Sequence, residues 1–207
     1  MIYPIIMHHD NSADHTEALK RQLHGIDYHV YDSSANKTTF TQSFNNCIDI
    51  YKSLEGFTHV MICNNDISLT AHQVRTMSRA INVCDGIFHP AVNSPHDYNM
   101  SAIGIKPYRY VHYVEFVCPI ISNNVLKYVG KLDDELTLGY GIDIDYCYRA
   151  QKMNSIVALC QYIQIQHYEH QSQDNHDEYR SQAEKEMEEV LTRKYGRQWR
   201  IILKCDL

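Results

Sequence analysis

The sequence predicts a single α/β domain built on a mainly parallel central sheet flanked by helices. Short apolar runs of strand type alternate with helix-periodic segments roughly every 12–15 residues through the first half of the chain, a pattern that calls for crossover connections and a parallel sheet. These strand-type runs end in polar residues: His8-His9-Asp10, Asp32-Ser33-Ser34 and Asn64-Asn65-Asp66. In an open parallel sheet the ligand lies beyond the carboxyl ends of the strands, so the three clusters fall on one edge. No internal repeat or low-complexity linker divides the 207 residues, a length that one domain with a full core accommodates.

The elements follow in order. Residues 1–7 are an apolar first strand containing Pro4, and 13–23 a helix with Ala18, Leu19 and Leu23 on one side. A short strand over 28–31 precedes a helix over 41–54, where Phe44, Ile48 and Tyr51 recur at i, i+4, i+7. Residues 59–63 are a strand of the fully buried type, 73–83 a helix and 86–88 a strand. Residues 93–112 are rich in Asn, Pro, His and Tyr and read as a loop insertion, a candidate binding loop. The apolar run 113–122 reads as a long strand, 123–129 as a short helix closed by Gly130, and 143–153 as a helix. Residues 156–166 form a strand ending at His167, and 174–195 a strongly charged helix. A basic tail with Arg193, Lys194, Arg197, Arg200 and Lys204 closes the sequence. Within the charged helix, the run Glu184-Lys185-Glu186-Met187-Glu188-Glu189 reads as a solvated face.

Composition narrows the class. Hydrophobic residues are 44% and charged residues 21% of the chain, ordinary for a globular protein, and the net charge of −6 disfavours a broadly basic nucleic-acid binder. The seven cysteines are odd in number and form no CxxC pair, which fits a reducing cytoplasm, the host's if the chain is virus-encoded, rather than a disulfide framework. The first residues lack a basic segment and read as a strand, not a signal peptide, and no apolar run is long enough for a membrane span.

The chemistry concentrates in three places. Asp143 and Asp145 follow a Gly139-Tyr140-Gly141 turn and open a helix, where the macrodipole favours carboxylates. Asn64-Asn65-Asp66 ends one apolar run, and His167 and His170 end another. Strand-end carboxylates with a strand-end histidine are the parts of a divalent-metal site with a nearby base.

This order of motifs resembles the nucleotide-sugar-dependent glycosyltransferases of the GT-A fold, in particular the large inverting family 2, over roughly residues 1–196. The matching features are the Pro-containing first strand, the Asp32-Ser33 turn, Asn45 in the next helix, the Asn64-Asn65-Asp66 turn, the Gly139-to-Arg149 segment, His167 and the Lys194-Tyr195-Gly196 triplet. The resemblance implies a Rossmann-like domain over 1–207. Its nucleotide-sugar half would be 1–92 and its acceptor and catalytic half 93–196, with 197–207 as the basic tail. It implies that Asp32 contacts the uracil or ribose of a UDP-sugar donor, with Asn45, Asn64, Asn65, His8 and His9 around the nucleotide. Asp66 and His167 would hold Mn²⁺ or Mg²⁺, and Asp143 would be the general base of inversion. Asp134, Glu135 and Tyr140 would belong to the acceptor side, with Asp145 fixing the loop and helix start. The family's Glu before the catalytic Asp is Ile142 here, which puts the acceptor contacts of that position in question.

Physical chemistry supports these roles separately. Charge develops on the departing diphosphate, and a divalent cation neutralises it. Carboxylate, phosphate and water suit Mg²⁺ or Mn²⁺, and an imidazole tilts the choice to Mn²⁺. An inverting displacement needs one carboxylate within reach of the acceptor hydroxyl, worth roughly 10²–10⁴ in rate. The acceptor is a saccharide or another hydroxyl compound, with loops 93–112 and 131–142 setting selectivity. Hydroxylated modified bases in DNA are an alternative, since the tail could grip phosphates. A non-catalytic nucleotide-sugar-binding module is another. A nucleotidyltransferase would want a Gly-rich basic loop after the first strand, where His8-His9-Asp10-Asn11 stands instead.

Overall fold

The computed structural model describes residues 1–8, 13–93, 100–103, 105–168 and 176–204. His9, His170 and the whole 94–99 stretch of the insertion lie outside the described residues. Eight strands and eight helices are described: β1 (Ile2–His8), α1 (Ala13–Gln22), β2 (His29–Asp32), α2 (Ser33–Asn36), α3 (Phe40–Lys52), β3 (His59–Asn64), β4 (Ile67–Ser68), α4 (Ala71–Ile81), β5 (Gly86–Val92), β6 (Tyr108–Tyr110), β7 (Ile120–Ser122), α5 (Asn123–Tyr128), α6 (Ile142–Lys152), β8 (Ile156–His167), α7 (His176–Tyr195) and α8 (Trp199–Leu203). The sheet order is β2-β1-β3-β7-β5-β8-β4, with β6 also on β8. β1, β2, β3, β5 and β8 point one way; β7 runs antiparallel between β3 and β5, and β4 and β6 antiparallel to β8. Five co-directional strands thus share one carboxyl edge.

Local chemistry explains the helix starts. Thr39 with Gln42, and Thr70 with Gln73, form reciprocal capping boxes that open α3 and α4. α3 buries Phe44, Cys47, Ile48 and Tyr51 against the sheet, as its periodicity predicts. No described helix is long and apolar enough to cross a membrane.

Three expectations change. Of the apolar run 113–122 only Ile120–Ser122 is strand. Pro119 has no N–H to give a ladder, and residues 116–118 turn instead. The Cys118 N–H donates to His89 Nε2 (2.8 Å), while the Val117 and Pro119 carbonyls accept from Asn64 and Ile62 of β3. Val114, Phe116, Val117 and Cys118 are nonetheless buried, so the apolar run reports burial rather than extension. Second, the basic tail contains α8, whose Trp199 and Leu203 are buried and whose Arg200 pairs with Glu188 and stacks on Trp199. Third, the acidic face of α7 is not wholly solvated: Glu186 and Glu188 both hold internal partners.

Candidate active site

The carboxyl edge gathers the polar strand ends. Parallel register sets His8 of β1 beside Asp32 of β2, and Met7 beside Asn64 of β3. The two-residue strand β4 then turns back along the end of β8, with Ile67 opposite His167. That pairing brings Asp66 Oδ2 to 3.4 Å from His167 Nε2, with the two side chains only 16% and 15% exposed. The Tyr168 N–H donates to the Asp66 carbonyl (2.9 Å) and fixes the turn. Asp66 Oδ1, Asn64 Oδ1 and Ser33 Oγ are buried with no hydrogen-bond partner among the described residues. Buried polar atoms are ordinarily satisfied, so orphans at strand ends on one edge mark a place for a ligand.

A divalent cation fits the Asp66–His167 pair. Two ligands of one ion, each about 2.0–2.2 Å from it, stand about 3 Å apart, and the open Asp66 oxygen is of the hard type that Mn²⁺ and Mg²⁺ take. Among the described residues no group of three or more His, Cys, Asp or Glu gathers as a cage. Ions that keep waters and bind substrate phosphates need only one or two protein ligands.

Thr16 of α1 braces the nucleotide side. Its hydroxyl lies 2.8 Å from His8 Nδ1 and accepts from Asn65 Nδ2 (2.9 Å). Asp32 caps α2, Oδ1 accepting from the Ala35 N–H (2.9 Å). Thr16 was not among the residues singled out in the sequence. The signal was present for Thr16, a polar residue on the Leu19 and Leu23 face of α1.

α6 packs on β5 and β8 and leads into β8 by a short turn, so it runs against β8 and its first turn lies toward the carboxyl edge. Gly139 and Gly141 have φ of +88° and +78°, open only to glycine at low cost. A Cβ on Gly141 would stand 2.7 Å from Met187 Cγ. Asp143 and Asp145 are about 200° apart around the helix and have different surroundings. Asp143 Oδ1 accepts the Ile144 N–H (2.8 Å) and meets no cation in an ion pair among the described residues. Burial pushes its carboxyl up to about 6, against the pull of the Ile144 and Asp143 N–H groups. Asp145 is fully buried and accepts from Arg149 Nε (2.8 Å), Lys194 Nζ (2.5 Å) and Tyr195 Oη (2.6 Å). The Lys194-Tyr195 signature is therefore the partner of Asp145.

The remaining candidates form the 131–140 loop and its supports. Asn45 is buried, its Nδ2 donating to the Leu132 carbonyl (3.2 Å) and Asp134 Oδ1 (2.8 Å), its Oδ1 accepting from the Leu132 N–H (2.9 Å). Its amide is thus spent on the loop. Glu135 pairs with Arg193. Tyr140 packs edge-on to Tyr179, ring centroids 6.5 Å apart, and burial raises its phenol pKa, with nearby Arg180 opposing.

No protein-family model matches the chain, and no curated protein does. Solved structures do. GalNAc-T7 with UDP, GalNAc and Mn²⁺ matches with a TM-score of 0.60 at 8% identity, over 99% of this chain and 54% of that one. Residues 1–349 of TarS from S. aureus match with a TM-score of 0.58, alone (11% identity) and in complex with UDP-GlcNAc (12%), over 100% of this chain and 76% and 77% of those. A197 from STIV matches with 0.57 at 9% identity, over 82% of this chain and 86% of that one. The fold is that of the GT-A glycosyltransferases. This chain spans about half the length of the GalNAc-T7 chain.

Proposed function

We propose that this protein is a metal-dependent inverting glycosyltransferase moving a sugar from a nucleotide-sugar, a UDP-sugar, to an acceptor hydroxyl. The observation that carries the reading is the Asp66–His167 pair, with an open buried carboxylate oxygen, at the edge of a GT-A sheet. Asp32 and His8, adjacent in register, hold the nucleoside, with Asn64 and Asn65 beside them. Asp66 and His167 hold the cation. When bound, Mn²⁺ or Mg²⁺ neutralises charge on the departing diphosphate.

Asp143 takes the proton of the acceptor hydroxyl as the new C–O bond forms on the face opposite the leaving group. The electron pair of the broken bond leaves on the diphosphate. A carboxyl titrating at about 6 is mostly ionised at pH 7, yet is a stronger base than an ordinary aspartate. Tyr140 and the 131–139 loop present the acceptor, a saccharide or other hydroxyl compound.

The reading on DNA bases is weakened by the ion pairs of the C-terminal region: Arg193, Lys194 and Arg200 already face Glu135, Asp133 with Asp145, and Glu188. The free thiols of Cys47, Cys63, Cys84, Cys118, Cys147 and Cys160 fit a reducing cytoplasm. The test is a panel of UDP-sugars with simple glycoside acceptors in Mn²⁺, with the anomeric configuration of the product read by NMR. Inversion is expected; a retained configuration would remove the base role of Asp143, and binding of UDP-sugars with no transfer would favour a silent binding module.

A further inference from the structure

We propose that Glu186 of α7 is a positioning residue that sets the turn carrying Tyr140 and Asp143, and hence the acceptor. This rests on the transferase reading above. Both oxygens of the Glu186 carboxylate engage the loop: Oε1 accepts from Thr137 Oγ1 (2.5 Å) and Oε2 from the Leu138 N–H (2.9 Å). From the same face of α7, Tyr179 Oη donates to the Leu138 carbonyl (2.5 Å). Leu138 is thus held at both its N–H and its C=O by one helix.

Immediately beyond it lies Gly139-Tyr140-Gly141, whose glycines carry positive φ and no side chain with which to anchor themselves. Such a turn takes its shape from what flanks it. On the far side, Gly141 abuts Met187 and Leu191, and Lys194 reaches Asp145 and Asp133. Tyr179, Ala183, Glu186, Met187, Val190, Leu191 and Lys194 recur at three- and four-residue spacing, one stripe of α7. Asp143 follows Leu138 by little more than one helical turn of chain, so displacement of the loop moves the proposed base directly. Misplacement of reacting groups by about 1 Å can cost as much as 10²-fold in rate.

The bonds are geometric and do not depend on the charge of Glu186. A glutamine can accept from the Leu138 N–H through its oxygen and donate to Thr137 Oγ1 through its amide. Glu186→Ala should therefore lower kcat, or raise the acceptor KM, by about ten-fold, leave UDP-sugar affinity within about two-fold, and speed amide exchange at Leu138. Glu186→Gln should restore turnover and Leu138 protection together. Thr137→Val, which removes one of the two bonds at nearly constant volume, should give an intermediate loss and add little to Glu186→Ala. Unchanged turnover in Glu186→Ala, donor affinity falling in step with turnover, or a Gln variant as poor as the Ala variant would each overturn the proposal. A wild type that transfers from no nucleotide-sugar would sink the transferase reading instead, and Leu138 exchange in the three variants would still decide the brace.

Discussion

His167 Nε2 stands 3.4 Å from Asp66 Oδ2 because β4, two residues long, doubles back along the last residues of β8. The pair is made by strands from the first and last thirds of the chain. Its second carboxylate oxygen, the buried Asp66 Oδ1, contributes nothing to the internal hydrogen bonding of the described residues. Removing it should therefore separate binding from folding. Asp66→Ala is expected to abolish Mn²⁺-dependent donor binding while changing unfolding free energy by no more than about 1 kcal/mol. Thermal stabilisation by a UDP-sugar with Mn²⁺ measures this. Wild type at 100 times its dissociation constant gains about 2.7 kcal/mol, and the variant should gain none. Equal stabilisation in both would show that the cation does not sit on Asp66.

Asp143→Asn keeps shape and hydrogen bonding but cannot accept the acceptor's proton. Turnover should fall by at least ~10²-fold, with donor affinity within a few-fold. A loss confined to KM would mean that Asp143 only binds.

The raised carboxyl of Asp143 also fixes a pH profile. At subsaturating acceptor, kcat/KM should climb tenfold per pH unit below about 6 and level off above it. A profile flat from pH 5 to 7 would be incompatible with Asp143 as the titrating base.

The same shift makes a stability prediction of opposite sense. The folded state holds the Asp143 proton more tightly than the unfolded chain does, so Asp143 favours folding at low pH. That contribution is lost as pH rises from about 4 through about 6. The ionisation cost above pH 7 is at most about 3 kcal/mol and less where solvent screens the partly exposed group. Asp143→Asn should therefore raise the midpoint of urea unfolding at pH 8 and leave it unchanged at pH 4. A variant less stable than wild type at pH 8 would contradict the assigned desolvation.

Asp145→Asn should do the reverse of Asp143→Asn. It leaves Arg149 facing a neutral amide and Lys194 with Asp133 as its one remaining carboxylate, at a cost of about 1–3 kcal/mol. Residual turnover by the folded fraction should exceed that of Asp143→Asn. Denaturant unfolding alongside single-turnover rates separates the two, and a stable Asp145→Asn protein with no activity would exchange the roles of the pair.

By itself the sequence determined what depends on local spacing. The strand and helix alternation, the polar strand ends and the two-residue offset of Asp143 and Asp145 are all nearest-neighbour facts. Each is set by backbone periodicity. What the tertiary structure decided depends on partners distant in the chain. Apolar content in 113–119 reported burial, but the amide of Cys118 found the imidazole of His89 rather than a backbone carbonyl of a neighbouring strand. Charge in the last residues hid the buried Trp199 and Leu203 pair, and charge on α7 read as solvated until Glu186 met a loop peptide. Asn45 reads in sequence as a support of the nucleotide site, and the partners of its amide, Leu132 and Asp134, are visible only in the fold. A polar side chain carries no mark in sequence of whether water, a ligand or a distant backbone amide will satisfy it, because all three offer the same hydrogen bond and only the closed sheet selects among them.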